Sequence, residues 1–127
     1  VPEKNLAPAN GTLARYQLQS WLNFIATEVH KSYGPMFRPG TSEASKEAAR
    51  KRLTQLYTHI DQELAQRDYL MGDTFTVADG YLFVTTNWAD LVQLDLSGFA
   101  HLQAFRARGA ARPAVQQAMR AEGLIKD

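Results

Sequence analysis

The feature that most constrains this chain is the stretch Phe75-Thr76-Val77-Ala78-Asp79 and the run that follows it. Thr76 at an N-cap accepts from the amide three residues on, while the Asp79 carboxylate reaches back to the Thr76 amide, a reciprocal pair that closes the first turn of a helix. An acid in that turn also suits the positive end of the helix dipole. From Val77 to about Val92 the chain is apolar nearly all the way round, through Tyr81, Leu82, Phe83, Val84, Trp88, Ala89, Leu91 and Val92. A helix of that kind is stable only inside other helices. Thr76 and Asp79 are therefore expected to be structural capping residues at a buried helix start, where loss of the cap leaves unpaired donors in the core.

The rest of the sequence supplies helices to surround it. Thr12 reads as an N-cap, and Leu13, Tyr16, Leu18, Trp21, Leu22, Phe24, Ile25 and Val29 follow at helical spacing, which predicts a helix to about Tyr33, where Gly34-Pro35 interrupts. A second helix is expected from Thr41 or Ser42 to about Arg67, with Leu53, Leu56, Tyr57, Ile60 and Leu64 as its apolar stripe and a Glu47–Lys51 pair on its outer face. Two shorter helices complete the set, Ser97 to Arg108 stopping at Gly109, and Ala114 to Glu122 between Pro113 and Gly123. Residues 1–11, with Pro2, Pro8 and Asn10-Gly11, read as an extended leading segment. The expected fold is all-α, a five-helix bundle around a buried central helix.

Composition removes whole classes of function. The 127 residues are 45% hydrophobic, enough for one core. Fourteen Lys and Arg against thirteen Asp and Glu leave no basic excess to grip phosphates. The run Arg50-Lys51-Arg52 then reads as a solvated helix face, and no nucleic-acid partner is expected. Without cysteine there is no thiolate nucleophile and no Cys-ligated zinc. His30, His59 and His101 lack ligand spacing, so no metal is expected. The longest run free of charge, Tyr16 to Thr27, is twelve residues, too short to span a bilayer. The opening residues carry Glu3 and Lys4 and no apolar stretch, so neither a signal peptide nor a membrane partner is expected, and the expected location is cytoplasmic.

No self-contained catalytic motif is present. At about 100° per residue, however, Asn23, Thr27, His30 and Lys31 fall within a sector of about 100° on the first helix. An amide and a hydroxyl there suit a peptide backbone, and His and Lys suit a carboxylate. Glu28, at the flank, suits an ammonium group. The same stripe also reads as a plain solvent face. Thr85, Thr86 and Asn87 interrupt the central helix and either satisfy one another or line a cavity. Trp21, Trp88, Tyr33 and Phe37 are either core or an aromatic-lined site beside the polar stripe.

Four stretches carry a resemblance: LAPANG at 6–11, WLNFIATEVHKSYGPMF at 21–37, YLMGDTFTVADGYLF at 69–83 and ARPAVQQAMRAEGLIK at 111–126. Over almost its whole length the chain resembles the C-terminal helical domain of bacterial glutathione transferases, the beta class in particular. The resemblance implies that residues 1–11 are a linker from a missing N-terminal thioredoxin-like domain and residues 12–127 the helical domain. It implies glutathione as a substrate, held mainly by the thioredoxin-like domain with a cysteine near the sulfur. The helical domain would contribute Asn23, Thr27, Glu28, Val29, His30 and Lys31, with Val29 acting only through its backbone or by packing and His30 supporting catalysis. A hydrophobic electrophile over the aromatic cluster, a homodimer and a role in detoxification are implied too, and this piece alone is expected to be inactive.

Two departures stand out. Gly80 occupies the position after the capping Asp where many family members carry an apolar residue, so the hydrophobic staple to Phe75 is expected to be weak or made by Tyr81. The chain also holds no cysteine. Two other readings remain at this point: a non-catalytic interaction module, which has no need for Asn23, Thr27 and His30 to converge on one cleft, and a purely structural bundle whose stripe faces bulk solvent.

Overall fold

Thr12 and Ser42 open their helices as expected, their hydroxyls accepting from the amides of Arg15 and Ser45 at 3.2 Å each. The structure, a computed structural model, describes residues 1–126; Asp127, the last residue of the expected 12–127 domain, lies outside them. Six α-helices follow in order: α1 Leu13–Phe24, α2 Gly34–Phe37, α3 Glu43–Leu64, α4 Val77–Leu91, α5 Ala100–Ala110 and α6 Pro113–Ala121. The expected five become six because Pro35 sits in the first turn of the short α2, where its missing N–H is no loss. The class stands as all-α.

Helix α4 is the hub. It packs against α1, the turn after α1, and α5, while α3 closes on α5 and α2. Ala78, Leu82, Thr85, Thr86 and Ala89 of α4 meet Ile25, Val29, Tyr57, Ile60, Leu102 and Phe105, all with 0% exposure. The helix is not enclosed all round, however. Val84 and Leu91 remain 45% and 72% exposed. They border a groove of about 710 Å³ between α4 and α6, shared with Val115, Met119 and Leu124. The apolar circuit of the sequence thus exceeds what these helices cover.

The cap at the start of α4 is fully buried. The Asp79 carboxylate receives the Thr76 N–H at 2.8 Å and the Thr76 hydroxyl at 3.2 Å on Oδ2. Its Oδ1 receives the Leu70 N–H at 2.8 Å, which ties the Tyr69–Gly72 turn to the helix start. Burial pushes the Asp79 carboxyl above the usual aspartate range, although these bonds pull the other way. The leading segment is tied down at the same place: the Val77 N–H donates to the Leu6 carbonyl at 2.9 Å. Phe75 packs edge-on against Tyr69 at 5.7 Å and lies under the Arg112 guanidinium at 4.0 Å. These contacts stand in for a staple, since Tyr81 is engaged elsewhere.

Three local expectations are corrected. Helix α5 does not stop at Gly109 but runs through it to Ala110. Gly109 is needed because a Cβ there would lie 2.8 Å from Phe83 Cδ2 on α4, so it is a close-approach glycine and not a cap. Helix α3 ends at Leu64, short of Arg67, and Asp61 in its last turn caps a neighbour instead, accepting the Leu102 N–H of α5 at 2.8 Å. Glu47 pairs with Arg50 at 3.1 Å, not with Lys51, because Arg50 also reaches Glu43. The end of α6 does follow expectation. Gly123 adopts φ +72° and its N–H bonds to the Arg120 carbonyl, while the Leu124 N–H bonds to Met119, a Schellman closure.

Candidate functional site

After Phe24 the first helix changes its winding. Ile25–His30 form a π-helical turn, in which i→i+5 hydrogen bonding holds one more residue per turn than an α-helix. One added residue rotates everything beyond it by about 100°. The sector drawn through Asn23, Thr27, His30 and Lys31 at constant pitch is therefore broken. Asn23 and Thr27 are exposed, and the Thr27 hydroxyl donates to the Asn23 carbonyl at 2.8 Å. The Glu28 carboxylate receives Arg52 of α3 at 2.8 Å, so its partner within the chain is a guanidinium. Val29 is fully buried in the core, which leaves only its backbone and its packing to act.

Of the six expected residues, His30 and Lys31 line one cavity together. Its volume is about 530 Å³, and Tyr33, Phe37, Arg38 and Trp88 complete most of the wall. His30 is fixed within it from α4. Its Nδ1 lies 2.5 Å from the Tyr81 hydroxyl. Trp88 packs edge-on against the imidazole with ring centroids 4.8 Å apart. Tyr81 and Trp88 are seven residues apart, which places them about 20° apart around α4. Trp88 also meets Tyr33 at 5.5 Å and Phe37 at 6.2 Å. Three of the four aromatic candidates thus converge here. Trp21 does not; it borders a separate shallow depression with Gln17 and Phe24.

The floor of the cavity is set by a buried polar chain. The Thr85 hydroxyl donates to the Leu82 carbonyl at 2.7 Å, so it accepts from Tyr57 at 3.3 Å, and Tyr57 in turn accepts from Tyr33 at 2.7 Å. Every proton in that chain has a receiver, which fixes the Tyr33 ring beneath Trp88. Burial pushes the Tyr57 hydroxyl up to about 12 and the Tyr33 hydroxyl further in the same direction. Thr86 likewise bonds back to the Phe83 carbonyl, whereas Asn87 lines the outer groove beside α6.

Chemically the cavity offers an imidazole, aromatic walls and the side chains of Lys31 and Arg38, with no carboxylate among its lining residues. It suits a ligand with an acceptor or negative charge near His30 and an apolar body against the rings. Tyr81 is the residue beside His30 that helical patterning missed, because its face of α4 reads simply as core. Among the described residues no group of three His, Cys, Asp or Glu side chains is placed to hold a metal ion, and no helix is long and apolar enough to cross a membrane.

The chain is similar to known proteins over nearly all of its length. The family model for the C-terminal domain of glutathione S-transferase matches residues 23–113. Glutathione S-transferase GstA of Escherichia coli O157:H7 is 42% identical over 124 residues, covering 98% of this chain and 62% of that protein. A solved ternary complex of BphK, a bacterial glutathione transferase, is 50% identical with a TM-score of 0.95, covering 98% of this chain and 62% of that one. A beta-class glutathione S-transferase from Sphingomonas chungbukensis is 42% identical with a TM-score of 0.94 and the same coverage. The chain thus spans 62% of the length of each of these relatives.

Proposed function

The chain belongs to the glutathione S-transferase family, of which it carries the C-terminal domain, and from that premise we propose that it is the helical half of a beta-class glutathione transferase. Residues 1–11 are the linker to a thioredoxin-like domain, and residues 12–127 form the second wall of the active site. Glutathione lies between the two domains, with Asn23, Thr27, Glu28, the Val29 backbone, His30 and Lys31 on the helical side. A hydrophobic electrophile rests on Tyr33, Phe37 and Trp88. The full-length protein is a cytoplasmic homodimer that serves detoxification by thiolate attack on that electrophile.

The observation that carries the reading is the His30 cavity, where an imidazole held by Tyr81 and Trp88 faces aromatic walls. A hydrogen bond from a ring nitrogen to the glutathione sulfur favours the thiolate over the thiol. The relatives named as glutathione transferases support the same chemistry. In the full-length protein His30→Ala is expected to lower turnover or glutathione affinity several-fold, measured by steady-state kinetics and calorimetry. Wild-type kinetics and affinity in that variant would contradict the role of His30.

The second reading, a non-catalytic interaction module, draws on one finding: Asn23 and Thr27 stand outside the His30 cavity. Glutathione-dependent turnover by the full-length protein decides between the two, and its absence favours the module.

A further inference from the structure

His30 touches Tyr81 through Nδ1 alone, at 2.5 Å, and its Nε2 has no hydrogen-bond partner among the described residues. Two arrangements share that distance. Either the Tyr81 hydroxyl donates to Nδ1 and the ring proton sits on Nε2, or Nδ1–H donates to the Tyr81 oxygen and Nε2 is bare. The acid strengths decide. A phenol is a stronger acid than a neutral imidazole N–H, and an imidazole nitrogen is a far stronger base than a phenol oxygen. Among the described residues no other partner claims the Tyr81 proton. Trp88, edge-on at 4.8 Å, holds the ring plane against rotation.

We infer that Tyr81 is a positioning residue that keeps neutral His30 in the tautomer protonated on Nε2, so that His30 meets the glutathione sulfur as a hydrogen-bond donor and not as the base that deprotonates it. The inference rests on the transferase reading for the identity of the sulfur, and on the geometry alone for the tautomer. With Nδ1 occupied and Nε2 already protonated, the neutral ring has no free lone pair to offer a thiol. Lys31, Arg38 and Tyr33 share the ring's cavity, Tyr81 and Trp88 face it from α4, and the nearby Glu28 is occupied by Arg52 of α3.

The test uses the full-length protein. Imidazole nitrogen NMR of the wild type, recorded where the ring is neutral, is expected to show His30 protonated on Nε2 and bare on Nδ1. Tyr81→Phe keeps the ring packing but removes the proton, so the signal is expected to move to a mixture of tautomers, with kcat/KM for glutathione-dependent turnover down several-fold and an unchanged melting temperature. His30→Gln retains an amide donor but accepts no proton from a thiol, so it is expected to keep severalfold more activity than His30→Ala. A wild-type ring protonated on Nδ1, a Tyr81→Phe ring that stays in the Nε2 tautomer, or His30→Gln as impaired as His30→Ala each overturns the inference while leaving the transferase reading intact. Full activity in His30→Ala overturns the role of His30 in that reading, whatever the tautomer.

Discussion

The start of α4 and the π-turn at the end of the first helix both set polar side chains where helical hydrogen bonding is irregular, and they resolve it in opposite ways. At the start of α4, Asp79 is completely buried and its carboxylate takes three donors from within the fold. At the π-turn, His30 and Lys31 stay exposed, and His30 keeps one ring nitrogen free beside a cavity. A buried polar group with every partner in place specifies the fold. An exposed one with a spare valence, steadied on one edge by Tyr81 and Trp88, is arranged for a ligand. The two regions lean on the same hub helix, since α4 supplies both the cap and the residues that hold His30.

That contrast breaks first at Asp79. Asp79→Ala leaves the Leu70 and Thr76 amides buried without acceptors, an expected loss of about 1–3 kcal/mol for each, read as a fall in denaturant midpoint. A loss below about 1 kcal/mol would show that water repairs the cap. The pH dependence has a definite sign. The folded-state carboxyl is raised above its unfolded value, so its stabilising contribution is complete below the ordinary aspartate range. It fades as pH rises through the raised value, and Asp79→Asn is expected to lack that fading.

Next comes the α4–α5 contact that supports both regions. Gly109→Ala places a methyl group 2.8 Å from the Phe83 ring, and an overpacking cost of about 1–3 kcal/mol is expected in thermal unfolding. A neutral result would mean that Phe83 swings into the groove beside α6. The smallest effect has the opposite sign. A Cβ at Gly80 would sit 3.8 Å from Phe75 Cζ, an ordinary contact, so Gly80→Ala is expected to stabilise by about 0.5–1 kcal/mol through helix propensity and a restored staple. A destabilised variant would refute it.

What the sequence disclosed follows the same division. Caps and apolar stripes obey short-range rules, so the Thr76–Asp79 pair, the Thr12 and Ser42 caps and the Gly123 closure were all readable from local order. Gly109 was misread because a glycine near a helix end serves capping and close approach equally well, and only the position of Phe83 distinguishes them. The polar stripe was misdrawn for a different reason. The i→i+5 winding of Ile25–His30 has no composition cue, and a single added residue turns His30 by about 100° from the face that constant pitch gives it. Tyr81 stayed hidden because a hydroxyl on an apolar helix has no periodic signature; its meaning depends on a partner fifty-one residues away.

The central claim is that the two regions divide stability from chemistry, and one paired measurement tests it. Melting temperature and glutathione-dependent turnover per folded molecule are to be recorded together for Asp79→Asn and His30→Ala in the full-length protein. The account predicts a crossed result, with the melting temperature of Asp79→Asn lowered at near-normal turnover and the turnover of His30→Ala lowered several-fold at a near-normal melting temperature. A His30→Ala protein that melts early yet turns over normally would contradict it.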